Sequence, residues 1–315
     1  MKRVILSRNE TRKGTVLLQI QRQALNDSAC LTAYVADPEV GYRLYRKRPG
    51  ILLAPGGAYL MHATREKEGV ALEFLAKGYN VFLLEYSLGF SSREVRETMP
   101  PQLDTDRRFP LPALEMFQAI HIIKERADEW NTDASRLFLM GFSAGGHLCG
   151  AAGVFWNDPA YVSQLPFTPV GEELKATGMV LCYPLMNACP KEILSINAPD
   201  NSEAMLIRDF LYGTRNPDQS QIDALDLTKH VTKDTVPTFL WHSTDDPVVL
   251  PKDSTRFILA MQEAGVECEY HLYDRGGHGI GLANRIYSHN DSEIMPDLAA
   301  WTAMADAWME RQPRK

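Results

Sequence analysis

No apolar stretch in the chain approaches the roughly 18 to 20 uninterrupted residues that a bilayer-crossing helix needs, so a membrane partner is not expected. Cysteine is scarce too. The five, Cys30, Cys149, Cys182, Cys189 and Cys268, are an odd number without a C-x-x-C spacing, which argues against a disulfide framework and a structural zinc site. They read as small core hydrophobes in a reducing compartment. Basic runs stop at pieces such as Arg46-Lys47-Arg48, and 33 Lys plus Arg against 40 Asp plus Glu leave a formal charge of −7. A nucleic-acid partner, which needs a concentrated positive face, is therefore not expected. At the start, Met1-Lys2-Arg3-Val4-Ile5-Leu6-Ser7-Arg8 is basic, but its apolar run ends after three residues where a signal peptide needs about 7 to 15. A cytoplasmic location is the expectation. Internal repeats, low-complexity tracts and linker-like shifts in composition are also missing, and residues 1–315 read as one domain.

What the chain does have is the make-up of an ordinary globule, with 45% hydrophobic and 23% charged residues. Short apolar runs rich in β-branched and aromatic residues each lead through a Gly or Pro turn into a segment of helical spacing. The runs predict strands at Cys30 to Ala36, Gly50 to Ala54, Val81 to Tyr86, Leu137 to Met140, Gly178 to Tyr183, Thr238 to His242 and Glu267 to Tyr273. Most lack in/out alternation, as strands covered on both faces do. Helices are expected at Glu66 to Lys77, Leu111 to Glu129, Gly145 to Val154, Ser202 to Tyr212, Ser254 to Ala264 and Met295 to Arg311, with C-caps at Gly78 and Gly265. In the second helix, Leu114, Phe117, Ile120, His121 and Lys124 form the stripe expected to face the sheet. The fold class is α/β, with a mostly parallel sheet and helices on both faces. Two long connections, Phe90 to Pro112 and Asn187 to Val236, interrupt the alternation, and connections of that length are lids, binding loops or solvated insertions.

The sharpest chemical signal is Leu137-Phe138-Leu139-Met140-Gly141-Phe142-Ser143-Ala144-Gly145-Gly146-His147, an apolar strand running into G-x-S-x-G and then into a helix start. That context puts Ser143 on a tight strand-to-helix turn, with the positive end of the helix behind it. A serine hydroxyl is a weak nucleophile, so it needs a base in hydrogen-bond reach and an acid to orient that base. Downstream strands end in Ser243-Thr244-Asp245-Asp246-Pro247-Val248-Val249 and in Asp274-Arg275-Gly276-Gly277-His278-Gly279-Ile280-Gly281. The order Ser, Asp, His is that of an α/β-hydrolase, each group lying at the sheet edge where such folds place ligands. His278, held between glycines, is the expected base, whereas His121, His147 and His242 read as structural. Asp246 fits an H-x-x-x-D-x-x-V spacing from His242 to Val249 and is preferred as the acid; Asp245, at the turn start, remains the alternative. Pro55-Gly56-Gly57-Ala58-Tyr59 follows a strand, and the N-H groups of Gly57, Ala58 and Ala144 are the expected oxyanion donors.

Together these segments resemble the α/β-hydrolase serine esterases of the hormone-sensitive-lipase-like and acetylxylan or feruloyl esterase groups, over roughly Leu52 to Leu282. Ala54-Pro55-Gly56-Gly57-Ala58-Tyr59 stands for their glycine-rich oxyanion loop, and Gly277-His278-Gly279-Ile280-Gly281-Leu282 for their histidine loop. Two features depart from the pattern. Ala58 takes the place of a third glycine, and Glu85-Tyr86-Ser87 stands where these esterases often carry Tyr-Arg. The resemblance implies serine carboxylester hydrolysis without a cofactor or metal, on a small-molecule ester of short acyl groups such as acetylated sugars or xylan fragments. On that reading the two long connections wall the pockets as cap or lid segments at 90–112 and 187–236, and Tyr59, Tyr183 and Met186 line them or simply pack in the core. The rivals are a serine peptidase or aminoacyl hydrolase and a non-catalytic ligand-binding protein of the same fold. A homo-oligomer stays open.

Overall fold

The computed structural model describes residues 18–36, 47–90, 103–187 and 202–313. Residues 1–8, Arg46, Met99-Pro100-Pro101, Cys189 and positions 188–201 of the second long connection lie outside them. Within them the apolar runs form β1 (Leu18–Ala24), β2 (Cys30–Ala36), β3 (Arg48–Ala54), β4 (Asn80–Glu85), β5 (Thr132–Phe142), β6 (Gly178–Cys182), β7 (Thr238–Ser243) and β8 (Cys268–Tyr273). All eight join one sheet in the order β1-β2-β4-β3-β5-β6-β7-β8. β2 runs antiparallel to both neighbours, and every pair from β4 to β8 is parallel. This is the α/β-hydrolase fold.

Burial explains why the central strands show no polar alternation. In β3, β5 and β7, Leu52, Leu139 and Leu240 belong to one core cluster, while their chain neighbours Ile51, Phe138, Phe239 and Trp241 belong to a second. Each strand thus faces an apolar layer on both sides. On the first face lie α2 (Leu111–Glu125), α3 (Ser143–Phe155) and α7 (Pro251–Glu263), through residues such as Met116, Leu148 and Phe257. On the second lie α1 (Glu68–Ala76) and α9 (Trp301–Arg311), through Phe74, Trp301 and Trp308. The other α-helices among the described residues are α4 (Pro159–Val162), α5 (Ser202–Tyr212), α6 (Gln219–Leu225) and α8 (Pro296–Ala299). Gly78 (φ +102°) and Gly265 (φ +70°) adopt the left-handed conformation just past α1 and α7, as C-cap glycines do.

One expectation about α2 is corrected. Its buried stripe is Ala113, Met116, Phe117, Ile120 and Ile123, so Leu114, His121 and Lys124 lie on the flank. His121 instead meets Glu173 at 2.6 Å and stacks on Phe167, because its polar ring finds a carboxylate partner at the half-exposed helix edge.

The two long connections meet where they are described. Arg108 and Asp209 form a 2.6 Å ion pair between them, and Phe210 stacks on Tyr59 with ring centroids 5.5 Å apart. Because β3, β5, β6, β7 and β8 run parallel, their C-terminal ends share one sheet edge, and the loops that follow converge there.

Candidate active site

β5 passes directly into α3 at Ser143, whose φ of +50° is a left-handed conformation that costs a side-chain-bearing residue on the order of 1–3 kcal/mol. The turn is tight because the two glycines flanking it leave no room for a Cβ. One on Gly141 would sit 2.2 Å from the carbonyl oxygen of Gly145, and one on Gly145 would sit 2.2 Å from that of Ala54. Helix α3 is thereby pressed against the end of β3. The serine is partly accessible, while Ala144 and the rest of α3 are buried.

His278 and Asp246 come to the same place from the loops after β8 and β7. His278 Nε2 lies 2.9 Å from Ser143 Oγ, and its Nδ1 lies 2.7 Å from Asp246 Oδ2. An ionised carboxylate only accepts, so Nδ1 carries the proton and Nε2 is left to accept from the serine hydroxyl. Asp246 has no exposed side-chain surface and is held by four donors. Oδ1 accepts from the N-H groups of Val248 (2.8 Å) and Val249 (2.9 Å), and Oδ2 from His278 and from His242 Nε2 (2.9 Å). Burial alone would raise this carboxyl, but the hydrogen bonds from His242 and His278 hold it well below the usual carboxylate range. Asp245 is exposed and instead accepts the N-H of Gly277 at 2.8 Å, which anchors the histidine loop.

The loop after β3 supplies the third part. Gly56 lies against the serine: a Cβ there would be 2.8 Å from Ser143 Cβ and 2.7 Å from the carbonyl oxygen of Phe142. Its own carbonyl accepts from Ala63 N-H at 2.9 Å, and since a trans peptide points its N-H opposite its C=O, the N-H of Gly57 is aimed away from that bond. Among the described residues, the N-H groups of Gly57 and Ala58 donate to no acceptor. Gly57 has φ +119° and Ala58 φ +61°, so the alanine in the glycine position costs about 1 kcal/mol for its left-handed backbone. Of the six non-glycine residues with positive φ among those described, Ala58, Tyr59, Ser143, Tyr183 and Ala283 lie in the loops around Ser143; Asn131 is the exception.

Tyr59, Tyr183 and Met186, expected either to line a pocket or to pack in the core, are each 0% exposed and belong to the two core clusters. Tyr59 donates its hydroxyl to His147 Nδ1 (2.8 Å), whose Nε2 donates to the Leu225 carbonyl (3.3 Å). Burial pushes this neutral His147 down to about 4. His242, read from the chain as structural, bridges Asp246 and the Ser254 hydroxyl. Sequence reading missed Glu66, a buried acid that accepts from Gly56 N-H and from the Tyr183 hydroxyl, both at 2.7 Å. Where the esterases carry Tyr-Arg, Glu85 pairs with Lys67 (2.6 Å) and Arg22 (3.1 Å), and the Tyr86 hydroxyl donates to the carbonyl of Pro55 (2.7 Å).

Residues 43–261 match a family model described as BD-FAE, a stretch that takes in Gly57, Ser143 and Asp246. The chain belongs to the BD-FAE family. Similar to this BD-FAE chain is an endo-1,4-beta-xylanase B of Butyrivibrio fibrisolvens, 30% identical over 261 residues that cover 81% of the chain and 35% of the relative. An acetylxylan esterase of Xylanibacter ruminicola is 24% identical over 259 residues, 80% of the chain and 44% of the relative. The BD-FAE chain therefore spans less than half the length of these two curated relatives. A solved structure described as an acetyl ester-xyloside bifunctional hydrolase from Caldicellulosiruptor lactoaceticus superimposes with a TM-score of 0.67 at 26% identity, covering 90% of this chain and 87% of that one. No helix among the described residues is long and apolar enough to cross a membrane.

Proposed function

We propose that this BD-FAE chain is a serine carboxylester hydrolase that removes short acyl groups, acetyl foremost, from sugars or xylan fragments. The observation that carries the proposal is the unbroken path from Ser143 Oγ through His278 to the buried Asp246 carboxylate, with bonds of 2.9 and 2.7 Å. In the first half-reaction Ser143 attacks the ester carbonyl while His278 Nε2 takes its proton. Asp246 holds the ring in the tautomer that can do so and stabilises the imidazolium that forms. The carbonyl oxygen, now an oxyanion, would lie among the N-H groups of Gly57, Ala58 and Ala144. His278 then protonates the leaving alcohol, leaving an acyl-serine. Water, deprotonated by the same imidazole, attacks that acyl group and releases the acid.

Acetyl and carbohydrate selectivity rest on the acetylxylan and acetyl ester-xyloside names of two of the similar proteins. The same reading takes the chain as one domain working in the cytoplasm without a cofactor, its long connections walling the acyl and alcohol pockets. The test is Ser143→Ala on p-nitrophenyl acetate. Hydrolysis should fall to background and fluorophosphonate labelling should vanish, with the circular dichroism spectrum unchanged; retained turnover would refute the assignment. Acetylated xylo-oligosaccharides beside butyrate and octanoate esters test the substrate class.

A further inference from the structure

Glu66 has no part in the mechanism above, yet it is buried at 2% exposure beside the reacting serine. A carboxylate in the interior is unfavourable unless hydrogen-bonded or paired. Glu66 ends the short 3-10 turn Thr64–Glu66, and both of its oxygens are engaged by neutral donors: Oε2 by Gly56 N-H and Oε1 by Tyr183 O-H, each at 2.7 Å. Burial pushes its carboxyl up, and these two hydrogen bonds oppose the shift.

The second donor leads across the site. Tyr183 follows β6 with φ +37°, a conformation that a bulky residue keeps only when its surroundings hold it. Its hydroxyl accepts the N-H of Gly281 at 3.0 Å, and the carbonyl of Gly281 in turn accepts from Trp301 Nε1 at 3.1 Å. The Tyr183 ring also meets the His278 imidazole, with centroids 5.0 Å apart and planes at 64°. A continuous relay thus runs from Gly56 N-H to Glu66, to the Tyr183 hydroxyl, to Gly281 N-H. It connects the loop after β3, which carries the free N-H groups of Gly57 and Ala58, to the loop after β8, which carries His278.

We propose that Glu66 and Tyr183 are positioning residues, a brace that holds the oxyanion loop and the histidine loop in register across Ser143. The inference rests on the hydrolase reading and assigns a role within that same site. Its physical basis is the geometry that oxyanion stabilisation demands: donors must lie at about 2.7–3.1 Å from an oxygen that becomes charged only in the transition state. A brace of this kind acts on turnover and leaves ground-state binding nearly alone.

Glu66→Gln and Tyr183→Phe test it against p-nitrophenyl acetate. A glutamine can still accept from Gly56, but its amide would donate to the Tyr183 hydroxyl and leave that hydroxyl's proton without its acceptor; phenylalanine keeps the ring and removes both bonds. Each variant should lower kcat by about 10- to 100-fold with KM within about threefold, as small misplacements of reacting groups do. Inhibition by a trifluoromethyl ketone, whose adduct carries the oxyanion, should weaken by the same factor. The double variant should be no worse than the poorer single, since both cut one relay. Wild-type kcat in either folded variant, or lost kcat with unchanged ketone affinity, would overturn the brace. Should Glu66→Gln fail to fold, Tyr183→Phe carries the test alone. A Ser143→Ala control separates the two ideas: normal brace variants beside an inactive Ser143→Ala protein sink the brace only, whereas an active Ser143→Ala protein sinks the hydrolase reading and the brace with it.

Discussion

Two adjacent acids in the loop after β7 have opposite surroundings. Asp246 is enclosed and saturated by four donors, whereas Asp245 is exposed and holds one backbone N-H of the histidine loop. Asp246→Asn should lower kcat by about three to four orders of magnitude, because an amide favours the wrong imidazole tautomer and withdraws the charge that supports imidazolium. Asp245→Asn should stay within about tenfold of wild type, since an asparagine oxygen still accepts from Gly277. Steady-state kinetics of the pair on one ester decides between them, and equal losses would contradict the assignment. Much of this site was legible along the chain. Ser143 and His278 announce themselves by glycine context, and the spacing from His242 to Val249 favours Asp246 over Asp245 without settling between them. Glu66 was not legible, because its role depends on a tyrosine 117 positions away that only the folded sheet edge brings to it. Tyr59 and Tyr183 stay open between pocket wall and core for a related reason: an aromatic just past a strand end suits either, and only tertiary packing decides which.

At the scale of elements, the join of β5 to α3 is the part least able to yield. A methyl on Gly145 would meet the carbonyl oxygens of Ala54 at 2.2 Å and Pro55 at 2.5 Å, both rigid backbone. At Gly265, past the end of α7, the same methyl meets nothing within 4 Å and only the positive φ of +70° resists it. Gly145→Ala should therefore lower unfolding free energy by about 3 kcal/mol and Gly265→Ala by about 1 kcal/mol. Urea midpoints measure both; equal shifts would mean that α3 is not wedged against β3. The elements themselves were read well where the core imposes them. β1 was missed because Leu18–Ala24, LQIQRQA, is a polar edge strand exposed along much of its length, and such a run carries little apolar signal. Helix α6, seven residues with an Asp218 capping box, was not predicted in the second long connection, where only Ser202 to Tyr212 was read as helical.

For the molecule as a whole, acid should act through histidines that the fold keeps neutral. Burial pushes both His62 and His147 down to about 4 from an ordinary value of 6.5. The unfolded chain binds the extra protons first, so the stabilising contribution of each is complete above about pH 6.5 and is lost as pH falls toward 4. Each accounts for on the order of 3 kcal/mol across that window. The raised carboxyls of Glu66 and Glu115 act in the opposite sense, which makes a difference measurement necessary. Denaturant unfolding of the wild type and His147→Asn between pH 7 and pH 4 should give curves that converge at low pH. Parallel curves would show that His147 does not titrate with folding.

The left-handed backbone of Ala58, Tyr59, Ser143, Tyr183 and Ala283 has one further consequence. Glycine would relax Ala58 and Ala283 for the loss of one methyl each, whereas at Tyr59 and Tyr183 it would also empty the volume of a buried ring and at Ser143 remove the hydroxyl, so a laboratory search for heat tolerance would be drawn to the two alanines. A substitution accepted at Ala58 would also loosen the loop that lies against Ser143. Heat tolerance and the shape of that loop are thus opposed at Ala58, and gains in one without loss of the other have to come from elsewhere in the fold.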